Sequence, residues 1–320
     1  MESLNVEVGI LKSDNIHFKL SGKYKFTRSK RLFESTVVAS IDEGSIVLKQ
    51  NGVVFYLAND IIIETENFKE NTCEVKDVII SIDFHWEQKE VQSFQGSIKL
   101  KLVDDKIQLI NILPIENYLY SVISSEMRGD SSLELLKSHA IISRSWLLAQ
   151  IEQQKELDNS DTEYSLINET EEQYIRWYDR ADHSDFHVCA DDHCKRYQGT
   201  TRAYNPNVIK AIKATEGEVL MNGEKLADAR FSKSCGGVTE RFENCWEPVD
   251  HQYLKDFADL EQADLNYNLD FSKEENDKRF MEGSSKDCGN TTVDKILLLV
   301  LNEYHHSAKD FYRWTVEYSQ

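Results

Sequence analysis

Leu113 to Trp146 reads LPIENYLYSVISSEMRGDSSLELLKSHAIISRSW, and this stretch decides how the rest of the chain is interpreted. An apolar run ends at Pro114, after which Tyr118, Val122, Ser125 and Glu126 recur at helical spacing, so a helix is expected whose last turn presents a carboxylate. A break follows at Gly129-Asp130-Ser131-Ser132. Leu133, Leu136, His139, Ala140, Ser143 and Arg144 then mark a second helix, with Ser131 and Glu134 at the spacing of a capping box. The two expected helices make a hairpin, and Glu126 is its candidate for chemistry.

Upstream, from Val6 to Ile112, the pattern is one of short alternating or apolar runs: VEVGIL, HFKLSG, STVVASI, SIVLKQ, VVFYLA, DIIIET, DVIISIDF, SIKLKLV and KIQLINIL. Ser13-Asp14-Asn15, Asp42-Glu43-Gly44 and Asn51-Gly52 punctuate them, which predicts antiparallel strands. The expected fold class is therefore α+β, a mostly antiparallel β-sheet with an inserted helical hairpin carrying the site. Residues 1–110 are read as a mainly β region and 111–320 as a core with acidic insertions. His17 and His85 stand isolated and read as partly exposed strand residues; Cys73 reads as an ordinary thiol.

Downstream, Glu152 to Glu172 is acidic and polar and reads as an insertion, leading to a short segment around Tyr174-Ile175-Arg176-Trp177-Tyr178. In DHSDFHVCADDHCKRYQG, His183, His187, Cys189, His193 and Cys194 then fall close together. Zinc takes thiolate and imidazole ligands in a tetrahedron, and this stretch supplies those atoms, although its spacing is not that of a zinc finger or ribbon. Spacing alone leaves metal binding open. Thr215 to Leu220 and Met221 to Lys225 read as strand, turn and strand, with Asn222-Gly223 suited to a tight hairpin. Ala227 to Phe231 reads as a strand delivering Ser232, Ser234, Cys235, Gly236 and Gly237 into a loop where adjacent glycines permit close backbone approach to a ligand. Trp246 follows, as a sugar-stacking platform or a core residue. Cys235 and Cys245 are spaced so that a loop could close them into a disulfide or leave two thiols. Val293 to Tyr304 reads as a helix, FYRWTVEYSQ as an edge strand, and His305-His306 as surface.

With 320 residues and 40% apolar composition the chain can bury one large or two ordinary cores. Its formal charge of -19 opposes nonspecific attraction to a phosphate backbone, so no nucleic-acid partner is expected. No run reaches the roughly 18 apolar residues of a membrane span. The start, MESLNVEVGI, has neither a basic nor an apolar leader region, so the chain is expected to be either cytoplasmic or lacking its export signal. Six cysteines are too sparse for a disulfide scaffold.

An apolar strand, then P-x-E-x-Tyr-Leu-x-x-Val-x-x-x-Glu-Met, then a helix carrying Leu-Lys-x-x-Ala-x-x-x-Arg, resembles the SpoIID/LytB family, whose sporulation members are lytic transglycosylases acting on peptidoglycan. Here those residues are Pro114, Glu116, Tyr118, Leu119, Val122, Glu126, Met127, Leu136, Lys137, Ala140 and Arg144. Ala214-Thr215-Glu216-Gly217-Glu218-Val219-Leu220 and Phe231-Ser232-Lys233-Ser234-Cys235-Gly236-Gly237-Val238-Thr239-Glu240 strengthen the match, so that it runs from about residue 90 to 260. The resemblance implies that Glu126, set between Val122, Ile123 and Met127, protonates the departing glycosidic oxygen. The same group then takes a proton from the 6-hydroxyl of muramic acid, giving a 1,6-anhydro end. Arg144 is implied either to orient Glu126 or hold substrate, or to form a structural ion pair. Tyr118, Ser234, Gly236, Gly237 and Trp246 are implied substrate contacts.

The resemblance also implies a structural zinc on His183, Cys189, His193 and Cys194, with His187 as substitute; a Cys189–Cys194 disulfide is the competing possibility. It further implies peptidoglycan glycan strands as partner, denuded of stem peptides, and an extracytoplasmic setting. A Trp-Thr strand like that in FYRWTVEYSQ is usually followed by more of the family's domain, so a chain cut short at its C-terminus is expected. Two departures stand out. Arg128 occupies a position commonly held by proline, and Ser138-His139 replaces a frequent Ala-Gln. Two functions of other classes stay in play: a noncatalytic wall-binding protein or amidase enhancer, as in the LytB branch, and a zinc hydrolase.

Overall fold

The structure is a computed structural model, and it describes residues 4–26, 32–65, 67–82, 87–127, 129–158, 167–171, 174–176, 183–201, 205–232, 235, 238–258, 270, 273–276 and 278. The chain divides into two compact units, one formed by Met1–Arg144 with His183–Glu218 and the other by Ser145–Asp182 with Val219–Gln320.

The first unit is built on antiparallel strands, as the alternation predicts, and the fold class is α+β. Its strands are β1 (Asn5–Ser13), β2 (Asn15–Phe26), β3 (Leu32–Asp42), β4 (Ser45–Gln50), β5 (Val53–Ala58), β6 (Asp60–Thr65), β7 (Thr72–Ile80), β8 (Gln88–Phe94), β9 (Ser97–Val103), β10 (Lys106–Pro114) and the two-residue β13 (Val188–Cys189). They hydrogen-bond in the order β13-β1-β10-β9-β6-β2-β3-β4-β5, with β7 joining β2 to β8. In β2 the alternation buries Ile16, Phe18 and Leu20 and leaves His17 and Lys19 exposed. Glu43-Gly44 and Asn51-Gly52 both take positive φ, which suits the two-residue turns that join β3 to β4 and β4 to β5. β10 lies between β1 and β9 and is buried on both faces, which explains its unbroken apolar run.

β8 escapes the sequence pattern because QKEVQSF places Gln92, buried, at an inward position where an apolar residue is expected. A helix, α3 (Pro206–Ala214), is also absent from the sequence reading. Its signals are local: Asn205 caps it by accepting from the Asn207 amide, Pro206 fills the first turn, and Val208, Ala211 and Ile212 form its buried face. Thr215 to Gly217 close that helix as a turn, so the strand expected from Thr215 does not form there.

β10 passes directly into α1 (Ile115–Glu126), with Pro114 as the cap residue and the Ile115 amide donating to the Leu4 carbonyl. α1 buries Ile115, Tyr118, Leu119, Ser121, Val122, Ile123 and Ser125. α2 (Leu133–Asp158) opens one residue later than the capping-box spacing suggests: Ser132 accepts from the Leu135 amide, while Glu134 pairs with Lys137 at 2.8 Å. Ser131 is buried just outside the helix.

The second unit takes the C-terminal half of α2, where Trp146, Leu147 and Ile151 are buried. It has two short hairpins, β11 (Ile167–Glu169) with β12 (Tyr174–Arg176) and β14 (Met221–Asn222) with β15 (Lys225–Leu226), and a one-turn helix α4 (Phe242–Cys245). Gly223 has φ of 63°, but the turn falls on Gly223-Glu224, one residue later than the expected Asn222-Gly223, because Asn222 pairs with Lys225 as the end of β14. Ala227 to Phe231 runs without strand pairing, contrary to the sequence expectation. The helix expected at Val293 to Tyr304 and the strand expected over 311–320 lie outside the described residues, as does His85.

Candidate functional site

Glu126 sits at the last position of α1, with 13% of its side chain exposed. His139, on the second turn of α2 and 3% exposed, places Nε2 3.1 Å from Glu126 Oε2. Lys195 places Nζ 3.9 Å from the same oxygen. The carboxylate thus lies in a largely desolvated corner with an imidazole and an ammonium directed at Oε2. Neither neighbour is evident in sequence: His139 reads as one residue of a helical stripe, and Lys195 lies 69 positions downstream of Glu126.

Arg144 is committed elsewhere. It is 2% exposed, its Nε and Nη2 donate to Glu116 Oε1 and Oε2 at 2.8 and 2.7 Å, and its Nη1 donates to the Glu218 carbonyl at 3.0 Å. This is the structural ion pair among the two roles open from sequence, a bidentate clamp from α2 to the first turn of α1. Tyr118 is 1% exposed, its ring stacked on Tyr197 with centroids 5.2 Å apart. Burial, and then the fields of Cys194 and Glu126, push its hydroxyl well above the ordinary tyrosine range, so it remains a neutral packing residue.

Beside this corner runs the loop from His183 to Gly199. β13 pairs in parallel with Val8 and Gly9 of β1, which fixes Cys189 at the sheet edge. His187 donates its amide to the Glu7 carbonyl and accepts from the Glu7 amide on Nδ1, so the substitute ligand is engaged by β1. Asp191 accepts from the Ser81 and Ile82 amides, Tyr197 donates its hydroxyl to Asn111 at 2.7 Å, and Gln198 donates its amide to Ser121 of α1.

Within this frame the donor atoms of His183, Cys189, His193 and Cys194 all lie within 4.8 Å of one another. His193 Nδ1 is 3.2 Å from His183 Nε2, 3.5 Å from Cys194 Sγ and 3.9 Å from Cys189 Sγ. A tetrahedral zinc with bonds of about 2.0–2.3 Å holds its ligands roughly 3.5 Å apart, so donor set and spacing fit that ion. The Cys194 contact, followed by those to His183 and His193, holds the Cys189 thiol far below its ordinary range against the opposing effect of burial. Cys189 and Cys194 are not joined by a disulfide.

In the second unit, Cys235 and Cys245 likewise carry thiols. Ser234, Gly236 and Gly237 lie outside the described residues. Trp246 is 39% exposed, and the Arg230 guanidinium stands 4.3 Å from its ring centroid and 5.7 Å from that of Trp146. Arg230 Nε is 2.8 Å from Asp228.

The structure thus places a glutamate at the end of the first helix of the hairpin, beside an imidazole and an ammonium, with a group of two cysteines and two histidines nearby at the edge of the antiparallel sheet. Residues 103–222 match the model of the SpoIID family, described as Stage II sporulation protein. That family is linked to peptidoglycan degradation, and the matched residues include Glu126, His139, Arg144, Lys195 and the four-donor cluster. Residues 240–320 match a second model, described as a domain of unknown function, DUF8618. No curated protein matches the chain. Among the described residues no helix is long and apolar enough to cross a membrane.

Proposed function

We propose that the chain is a peptidoglycan lytic transglycosylase that cleaves denuded glycan strands outside the cytoplasmic membrane, leaving 1,6-anhydromuramic ends. The observation that carries this reading is the desolvated Glu126 corner within the SpoIID match. Glu126 gives its proton to the departing glycosidic oxygen as the bond to C1 breaks. It then takes the proton of the C6 hydroxyl as that oxygen closes on C1, so no water is consumed. One carboxylate performs both transfers, and Lys195 and the His139 ring offset the negative charge left on it in between. Arg144 acts at a remove, by fixing α2 to α1 through Glu116.

His183, Cys189, His193 and Cys194 would hold zinc, and four protein ligands that include two thiolates make a closed structural site. Bound there, zinc supplies a crosslink that ties the loop to itself and so steadies Lys195, the residue after Cys194. In the second unit, half-exposed Trp246 together with Ser234, Gly236 and Gly237 are our candidates for contacts with sugar. The test is turnover of amidase-treated glycan strands by the wild-type chain and by Glu126→Gln, with glycan binding followed in parallel. Cleavage that vanishes in the variant while binding persists supports the enzyme; binding without cleavage by either protein indicates a noncatalytic wall-binding role.

A further inference from the structure

We propose that β5 is a self-association edge on which a second copy of this chain docks, strand against strand and antiparallel; the proposal is independent of the reading of Glu126. The 11-stranded sheet ends at β13, at β5 and, on its side branch, at β8. An outermost strand offers backbone N–H and C=O groups to any strand that approaches it, and folds guard against this by keeping such strands short, covering them or placing charge on them. β13 has only two residues. β8 is covered, since the Ser93 carbonyl accepts from the Thr200 amide at 2.7 Å and the Ser93 amide donates to Thr201 Oγ1 at 2.8 Å. β5 runs for six residues, VVFYLA, and is the one described strand longer than two residues that carries no charged side chain. On it Val53, Val54 and Leu57 are 68%, 51% and 59% exposed.

What fits this edge follows from a bulge. β4 and β5 pair Val47 with Leu57 and Leu48 with Tyr56, but Lys49 with Val54 and Gln50 with Val53, so Phe55 is the extra residue. Residues opposite each other share a face, and β4 alternates, with Val47 and Lys49 on one face and Ile46, Leu48 and Gln50 on the other. Val54 and Leu57 therefore share the first face, and Val53, Tyr56 and Ala58 the second. A two-fold axis normal to the sheet sets opposed residues of two copies on the same face. In a regular six-residue strand full overlap fails, because its two ends point to opposite faces. The bulge removes that mismatch. With the axis between Phe55 and Tyr56, Val54 meets Leu57 of the second copy on one face, and Val53 meets Ala58 on the other. The rings of Phe55 and Tyr56 pack on Phe26 with centroids 5.8 and 5.4 Å away, which holds the strand in this form before docking. An uncharged edge also suits an uncharged partner strand, and β5 of a second copy supplies one.

The test is sedimentation equilibrium of the full chain over a range of concentrations. Six residues a side bury less than the roughly 1,200 Å2 of stable complexes, so a monomer–dimer equilibrium with Kd on the order of 10–100 μM is expected. Added salt should tighten it by screening the charge of -19 on each copy. Val54→Lys and Leu57→Glu, both at exposed positions, should each weaken the dimer about tenfold and leave the melting temperature of the chain unchanged. Mixing the two variants sets one new lysine opposite one new glutamate and should recover about fivefold in affinity. A chain that stays monomeric to about 1 mM, a dimer undiminished by either substitution, or a mixture no tighter than the separate variants would overturn the proposal.

Discussion

Replacing Arg144 by methionine separates a guanidinium that holds the hairpin from one that serves the chemistry. Arg144 is 2% exposed and donates to both oxygens of Glu116 and to the Glu218 carbonyl. Methionine keeps part of the stem and removes every donor. Removing one member of a buried ion pair costs about 3–5 kcal/mol, because the other charge is stranded. Glu116 is 26% exposed and can regain water, so the expectation falls at the lower end, about 3 kcal/mol. In a unit of roughly 180 residues that lowers Tm by about 6–12 °C. The assay is thermal unfolding of Arg144→Met, Glu116→Gln and the double variant. The double variant should cost less than the sum of the singles, by about 1–3 kcal/mol. Glycan turnover per folded molecule, measured well below both transitions, should be retained. An unchanged Tm together with lost turnover would refute the structural assignment and place Arg144 in the chemistry.

The purified chain should hold about one zinc, and chelation should lower Tm more than it alters turnover of the remaining folded protein; elemental analysis and melting curves check this. Gly9→Ala should weaken both the fold and metal retention, since the added Cβ would meet the Phe186 ring at 2.4–2.6 Å and that ring packs against His183. Overpacking of this kind costs about 1–3 kcal/mol, measurable as a lower Tm and a lower chelator concentration for zinc release. Glycan strands freed of stem peptides should be cleaved faster than intact peptidoglycan; equal rates at several salt concentrations would contradict the assignment of denuded strands.

Much of this architecture is legible in the sequence because it rests on local periodicity. The helical hairpin, nine of the strand runs and the turns at Gly44 and Gly52 follow from spacing and backbone preference. The positions of His183, Cys189, His193 and Cys194 converge in space because they are close in the chain, within reach of a single loop. What sequence could not supply is pairing over distance. Glu116 captures Arg144 across the hairpin, and Lys195 reaches Glu126 only because β13 docks on β1 and returns the loop to α1. β8 was hidden by an inward Gln92, a polar residue in an apolar slot. α3 carries its start signal in Asn205-Pro206, a cap residue followed by a first-turn proline. The Ser131 capping-box reading missed by one residue, since adjacent serines offer the same chemistry and only the helix start distinguishes them.

The most direct measurement is mass analysis of the ends released from purified, peptide-free glycan strands, with Glu126→Gln run alongside. The account predicts 1,6-anhydromuramic ends from the unsubstituted chain and none above background from the variant, which still binds the strands. Reducing muramic ends that have gained a water, or undiminished cleavage by Glu126→Gln, would contradict it.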